Sequence, residues 1–235
     1  MAKGNLYLIP ALLADGSVES VLPEGTLAII RQLNYFIVEE IRTARRFLIK
    51  AGIQKPIDSL DFLIFNEHSK DQDLTEYVVA ALNGHDIGLL SEAGVPCVAD
   101  PGSLIVRQAH ESGIRVIPLT GPSSILLALM ASGFSGQNFA FVGYLPADKM
   151  VRVKKIKELE RLMYEKDQTQ VFIETPYRNI QVFDSLINVC KPDTRLCLAT
   201  DISGMNEVIK SMSIAEWTGK KPDIHKKPTI FLLYH

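Results

Sequence analysis

The chain has 235 residues, of which 47% are hydrophobic and 22% are charged, so it can bury the core of one large domain or of two smaller ones. No apolar run approaches the roughly 18 to 20 residues of a membrane helix, no signal-peptide stretch follows the start, and the three cysteines cannot form a complete disulfide framework. The net charge of −2 gives no overall attraction to nucleic acid, so we expect a cytoplasmic protein without a membrane partner, in which any RNA-binding surface is local.

Strands and helices alternate along the first half of the chain. The predicted strands are Asn5–Ile9, Tyr35–Val38, Leu60–Phe65, Ile87–Leu90 and Val116–Leu119. The predicted helical segments between them are Ala28–Leu33, Thr43–Ala51, Thr75–Asn83 and Leu104–Ser112. Because this alternation requires crossover connections, it indicates a mostly parallel sheet.

A turn at Gly121-Pro122 divides the chain, and Ser123 is suited to cap a following helix, Ser124–Ala131. The pattern then resumes, with predicted strands Phe139–Val142, Val171–Ile173, Arg195–Ala199 and Thr229–Tyr234, and predicted helices Val153–Glu165 and Asn179–Val189. The sequence therefore predicts an α/β protein with two α/β domains and mostly parallel sheets, an N-terminal domain at residues 1–120 and a C-terminal domain at residues 121–235.

The loop Leu90–Gly102 follows a predicted buried strand and precedes a helix, so it lies at a carboxyl end of the sheet, where ligands gather. Gly94 allows another molecule to approach the main chain closely. Ser91, Glu92 and Asp100 offer polar groups for hydroxyls or an ammonium. The structural alternative is a stiff loop whose aspartate caps the next helix.

A second loop, Leu119–Ser124, follows the next strand and also starts a helix. Two such loops from neighbouring strands are expected to form the walls of one cleft. No G-x-G-x-x-G, P-loop, H-E-x-x-H or zinc-ligand spacing occurs, so neither a dinucleotide site nor a metal site is predicted.

Four motifs occur in the order and spacing of the tetrapyrrole methylase family: Leu90–Gly102, Gly113–Val116, Thr120–Ser124 and Gly143–Pro146. The chain resembles most the branch of this family that methylates a ribose 2′-hydroxyl in small-subunit ribosomal RNA. Three further segments resemble that branch, namely Asn5–Pro10, Glu39–Arg42 and Phe172–Arg178. The resemblance spans nearly the whole chain.

The resemblance implies a methyltransferase that holds S-adenosylmethionine in a cleft between two α/β domains, releases S-adenosylhomocysteine, and usually forms a homodimer. Its implied donor-binding positions are Pro10, Ser91, Glu92, Gly94, Val95, Asp100, Gly102, Thr120, Gly121, Pro122, Ser123, Ser124 and Thr229. The chain departs from the branch in the turn after Pro10, in Thr200-Asp201 where the branch has an Arg-Glu pair, and in lacking the C-terminal extension of many members.

Four charged residues are candidates to face the methyl acceptor: Glu39, Arg42, Glu174 and Arg178. A glutamate can take or orient a hydroxyl proton, and an arginine can bind a phosphate through two nitrogens. The alternative is that they form structural ion pairs near strand ends.

Two local basic runs are candidate RNA-binding surfaces, with solvated helix faces as the alternative. The first run consists of Arg42, Arg45, Arg46 and Lys50. The second run consists of Lys149, Arg152, Lys154, Lys155 and Lys157.

Three functions fit these observations. The first is an S-adenosylmethionine-dependent ribose 2′-O-methyltransferase with ribosomal RNA as its partner. The second is an enzyme of the same fold that acts on a small molecule, such as a tetrapyrrole, or on a protein; the near-neutral charge favours it. The third is a noncatalytic RNA- or partner-binding module, which the two retained loops disfavour.

Overall fold

The computed structural model describes residues 2–66, 68–69 and 73–235. The chain divides into two compact units, Met1–Ser123 and Ser124–His235. The division falls just after the Thr120–Pro122 segment where the sequence places the domain boundary. Each unit has its own five-stranded sheet.

The first unit is built on a fully parallel sheet. Its strands are β1 (Asn5–Ile9), β2 (Tyr35–Val38), β3 (Asp61–Ile64), β4 (Ile87–Leu90) and β5 (Arg115–Pro118), in the order β3-β2-β4-β1-β5. Its helices are α1 (Glu24–Gln32), α2 (Ile41–Lys50), α3 (Thr75–Leu82) and α4 (Ser103–Glu111), and a 3₁₀ turn spans Ile57–Ser59. The predicted elements of this half are all present, with bounds that differ by a few residues.

Two apolar cores cover the two faces of this sheet, because successive side chains of a strand point to opposite sides. Ile9 and Leu90 belong to one core, and Leu6 and Leu89 belong to the other. All four residues of β4 are buried, as expected for a central parallel strand. The parallel arrangement brings the carboxyl ends of all five strands to one edge of the sheet.

The second unit has a mixed sheet. Its strands are β6 (Phe139–Tyr144), β7 (Thr169–Ile173), β8 (Arg195–Thr200), β9 (Val208–Ser213) and β10 (Thr229–Tyr234), in the order β6-β7-β10-β8-β9. Its helices are α5 (Ser124–Ser132), α6 (Lys149–Lys166), α7 (Asn179–Val189) and α8 (Ile214–Trp217), and a 3₁₀ turn spans Pro176–Arg178.

The expectation of a mostly parallel sheet is corrected in this unit. Only β6 and β7 pair in parallel, whereas β10 runs antiparallel to β7 and β8, and β9 runs antiparallel to β8. For β8 and β9 the reason is that residues 201–207 join the two strands without a helix, and a short connection of this kind reverses the strand direction. β9 and α8 are not among the elements predicted from the sequence.

Within the described residues, no helix combines the length and the apolar character that a membrane crossing requires.

Candidate functional site

Three loops meet at the carboxyl edge of the first sheet. The Ala11 N–H, just after β1, donates to the Gly94 carbonyl oxygen after β4 at 2.8 Å. A Cβ built on Gly94 would lie 3.4 Å from the Pro122 carbonyl oxygen, in the loop after β5. A Cβ on Gly121 would lie 2.2 Å from Pro10 Cγ, so no other residue fits there without a shift. The structure therefore brings together the donor-binding candidates Pro10, Gly94, Gly121 and Pro122.

The loop after β4 has an unusual backbone. Gly94, Cys97 and Ala99 have φ angles of +70°, +69° and +60°. The Gly102 N–H at the start of α4 donates to Asp100 Oδ1 at 2.6 Å, so this aspartate stabilises the helix start. Burial, together with the nearby Asp100 carboxylate, raises the pKa of the Cys97 thiol from 9.0 to about 12.

A cavity of about 360 Å³ lies within the first unit beside the meeting point of the loops. It is formed by the segment after β1, one face of α2 and the loop after β4. Its lining residues are Ala11, Leu12, Leu13, Ala14, Asp15, Thr43, Ala44, Arg46, Phe47, Lys50, Leu90, Ser91, Glu92 and Ala93. The lining is apolar in part and presents charges of both signs.

Thr43 connects α2 to this cavity and is a residue that the sequence analysis missed. Its hydroxyl oxygen lies 2.7 Å from Glu92 Oε1 and 2.9 Å from the Glu40 carbonyl oxygen, so its single proton is donated to one of the two. The Glu40 carboxylate accepts the Arg42 N–H at 2.9 Å and caps α2. The only sequence signal for Thr43 was its place in the first turn of a predicted helix.

The remaining first-unit candidates flank this arrangement. Ser91 is buried, and its hydroxyl donates to the Ala93 carbonyl oxygen at 3.3 Å. The Thr120 carbonyl oxygen accepts from the Thr26 hydroxyl at 3.0 Å. Val95 is half-buried, as are Ser123 and Ser124, where α5 begins.

Glu39 and Arg42 lie at the carboxyl end of β2. Val38 pairs with Leu90 in the sheet, so Glu39 follows β2 at the level at which Ser91 follows β4. Glu39 is half-buried and Arg42 is exposed.

The first basic run lies on α2, as predicted, but two of its members are ion-paired. Arg45 is 3.0 Å from Asp58 and also lies over the Phe62 ring. Lys50 is 3.3 Å from Asp15. Arg42 and Arg46 are exposed on the same helix.

Glu174 and Arg178, in the second unit, form an ion pair between a buried carboxylate and a partly exposed guanidinium. The distance from Glu174 Oε2 to Arg178 Nη2 is 2.7 Å, and the Glu174 side chain has no exposed surface. Glu174 Oε1 accepts the Thr175 N–H at 2.7 Å, and Arg178 Nη2 donates to the Leu145 carbonyl oxygen at 3.1 Å. These contacts match the structural alternative considered for the pair.

Thr229 and Arg152 are also engaged inside the second unit. The buried Thr229 hydroxyl donates to the Lys227 carbonyl oxygen at 3.1 Å and lies 3.3 Å from the Asn179 amide nitrogen. Arg152 is buried and donates to Ser185 Oγ at 3.1 Å and to the Ala147 carbonyl oxygen at 2.8 Å. Arg152 is therefore not part of the predicted basic surface, because its guanidinium satisfies internal acceptors.

No protein-family model matches the chain. Ribosomal RNA small subunit methyltransferase I of Pseudomonas aeruginosa is 29% identical over 216 residues, which cover 92% of this chain and 72% of that protein. The protein of the same name from Vibrio cholerae is 29% identical over 233 residues, which cover 98% of this chain and 76% of that protein.

Two solved structures share the fold. The methyltransferase CobJ has a TM-score of 0.64 and 17% identity, and the alignment covers 99% of this chain and 94% of that one. A uroporphyrin-III-C-methyltransferase from Thermus thermophilus has a TM-score of 0.59 and 16% identity, with the same coverage of both chains. The resemblance inferred from the motifs is confirmed, as are the α/β fold and the methyltransferase class.

Proposed function

We propose that this chain, a homologue of the ribosomal RNA small subunit methyltransferase I proteins with a tetrapyrrole-methylase fold, methylates a ribose 2′-hydroxyl of small-subunit ribosomal RNA with S-adenosylmethionine as donor. The observation that supports this most is the similarity to relatives of that name over 92% and 98% of the chain. The meeting of three strand-end loops in the first unit independently supports a ligand site at that edge, which the donor would occupy.

The residues around the first-unit cavity fit the donor. A volume of about 360 Å³ lies within the range of about 300–1,000 Å³ typical of small-molecule sites. Leu12, Leu13 and Phe47 offer apolar surface to an adenine ring, and the carboxylates of Asp15 and Glu92 suit hydroxyls and an ammonium. When bound, S-adenosylmethionine supplies a methyl group on a sulfonium.

The other proposed donor contacts lie on the same loops. Pro10 and Gly94 border the cavity residues, and Asp100 and Gly102 form the start of α4. The Thr120–Ser124 segment contacts Gly94 and Pro10 through Pro122 and Gly121. Thr229, the remaining donor-binding candidate, lies in the second unit, where its hydroxyl donates to the Lys227 carbonyl oxygen at 3.1 Å.

The chain must position the acceptor hydroxyl and remove its proton. Positioning contributes up to about 7–11 kcal/mol, and a general base contributes about 10²–10⁴-fold in rate. We propose Glu39 as the proton acceptor, because it lies at the carboxyl end of β2 beside the loop that contains Glu92. Arg42, exposed one turn further, is the proposed phosphate contact. Glu174 and Arg178 are assigned a structural role.

Transfer of a radiolabelled methyl group tests this function. Labelled donor is incubated with either total RNA or cell extract, and each mixture is prepared with and without the protein. We expect label in small-subunit ribosomal RNA, in an alkali-resistant dinucleotide, because a methylated 2′-oxygen cannot attack the adjacent phosphate. Glu39→Gln should lower the rate at least 100-fold and leave S-adenosylhomocysteine binding unchanged. Label in protein or in small molecules instead of RNA would contradict the proposed acceptor.

A homodimer and a cytoplasmic location complete the proposal. Both follow from the family resemblance and from the expected RNA acceptor. Sedimentation equilibrium at micromolar concentration should give twice the monomer mass of 26.1 kDa. A monomer at these concentrations would contradict the proposed dimer. It would not affect the proposed methyl transfer, which the labelling experiment tests separately.

A further inference from the structure

A second pocket, of about 230 Å³, lies within the second unit, and none of the candidate site residues lines it. It is formed by β8, β9, the end of α8 and the segment before β10. Its apolar lining includes Leu198, Trp217 and Ile224. The Trp217 indole is fixed in place, since its Nε1 donates to the Leu196 carbonyl oxygen at 2.9 Å and its ring packs edge-on against Phe183.

Lysines surround this pocket. Lys210, Lys220, Lys221 and Lys227 contribute to the lining, against one carboxylate, Asp223. Lys227 is ion-paired with Asp223 at 2.5 Å. Within the described part of the chain, the other three have no carboxylate oxygen within 4.0 Å. The chain as a whole has a net charge of −2, so this positive surface is local.

An exposed aromatic ring lies on the segment next to the pocket. Tyr177 is 71% exposed, and Lys226 Nζ lies 5.7 Å from the centre of its ring. The Lys226 N–H donates to the Pro176 carbonyl oxygen at 3.1 Å, which joins the 3₁₀ turn to the lysine-rich segment before β10. A large exposed ring beside a cation suits the face of a base.

We propose that the lysine pocket, with Tyr177 beside it, is a docking site for a single-stranded segment of the RNA acceptor. Lysines that lack a carboxylate partner would bind backbone phosphates, and the Tyr177 ring would stack on a base. This combination is the one that single-strand-binding proteins use. The inference rests on the proposed function, because it takes RNA as the acceptor.

Binding of an oligouridylate by the full chain, measured across a salt series, tests this site. The variant is Lys210→Gln with Lys221→Gln. Its matched control is Arg161→Gln with Lys166→Gln, which removes two charges from exposed positions of α6 in the same unit, outside the two basic runs. For the pocket variant we expect affinity to fall on the order of 10-fold near 0.15 M salt, and the slope of log affinity against log salt to flatten by about 1.4. Tyr177→Ala should weaken binding about 5- to 100-fold with the salt slope unchanged, because stacking neutralises no phosphate.

Three outcomes separate the possible failures. An equal loss in the pocket variant and the α6 control would overturn the pocket as a specific site. Polyglutamate that binds the parent as tightly as oligouridylate would show a general polyanion surface and overturn the assignment to RNA. If the parent methylates ribosomal RNA and both the lysine double variant and Tyr177→Ala bind oligouridylate like the parent, the pocket is not the docking site. The proposed function would then remain intact.

Discussion

The Thr43 hydroxyl lies 2.7 Å from Glu92 Oε1 and so joins the first turn of α2 to the loop after β4. Because Glu92 lines the cavity proposed for the donor, Thr43→Val should weaken S-adenosylhomocysteine binding about fivefold. This corresponds to about 1 kcal/mol, below the usual value for a hydrogen bond to a charged group because the pair is exposed. Calorimetric titration measures the affinity. Thr43→Ser keeps the hydroxyl and should bind like the parent; equal weakening in both variants would contradict this role.

Gly94→Val should abolish donor binding. Gly94 has φ +70°, and a Cβ there would lie 3.0 Å from Leu13 Cδ2 and 3.4 Å from the Pro122 carbonyl oxygen, so a branched side chain separates the three loops. Gly133→Val is the matched control, since Gly133 has φ +76° and nothing within 4 Å of a built Cβ. Calorimetry with S-adenosylhomocysteine should show no heat for the first variant and normal heat for the second. Unchanged affinity in a folded Gly94→Val protein would show that the loop is only structural.

Neutralising Arg42 and Arg46 together should weaken RNA binding. Both guanidinium groups are exposed on α2, and each phosphate contact that is lost flattens the plot of log affinity against log salt. We expect the slope to flatten by roughly one to two units in filter binding. Arg45→Gln serves as control, because Arg45 is already paired with Asp58 at 3.0 Å. If the double variant binds RNA like the parent at every salt concentration, this face of α2 contacts solvent and not RNA.

Arg178→Leu should destabilise the second unit by about 3 kcal/mol, because it leaves the fully buried Glu174 carboxylate without its cation. Arg161→Leu removes the exposed ion pair with Glu165 and should cost less than about 1 kcal/mol. The free energy of unfolding is measured in urea. Adding Glu174→Gln to Arg178→Leu should recover part of the loss. Equal costs for the two single variants would show that the Glu174–Arg178 pair contributes no more than a surface pair.

The stability of the fold should fall as the pH rises above about 9. Burial raises the pKa of the Cys97 and Cys197 thiols from 9.0 to about 12, and Asp100 contributes at Cys97. The folded chain therefore keeps these protons more tightly than the unfolded chain, whose thiols ionise near pH 9. The loss begins near pH 9 and grows toward pH 12, and it is absent at pH 7. Urea unfolding at pH 8 and pH 10.5 should show a smaller decrease for Cys97→Ala with Cys197→Ala than for the parent.

The first unit could be predicted largely from the sequence. Runs such as Ile87–Leu90 are apolar at every position, and the glycine- and proline-containing loops after them identify the strand ends. The second unit was harder. β9 contains Lys210 and two serines and lies at the edge of the sheet with one buried residue, so it has no long apolar run to indicate a strand. Without β9, the reversal of strand direction after β8 could not be predicted.

The loops that form the candidate site could be predicted from the sequence, but the side-chain contacts within it could not. The bond between Thr43 and Glu92 joins residues far apart in the chain, and no local pattern indicates such a pair. Arg152 lies among lysines in a basic run, which favoured an exposed side chain. The structure instead places its guanidinium among buried acceptors of the second unit. Charge patterns along a helix do not distinguish a solvated cation from one that is hydrogen-bonded inside.

The central place of β10 has a consequence for synthesis on the ribosome. β10 pairs with both β7 and β8, so without Thr229–Tyr234 the second sheet consists of two separate pairs of strands. The first unit can fold as soon as residue 123 has emerged, because its five strands pair only with one another. The second unit must wait for its last strand. During that interval the edges of β7 and β8 that pair with β10 have no partner strand, and such edges favour association with other chains. A ribosome that stalls before residue 229 leaves them in that state.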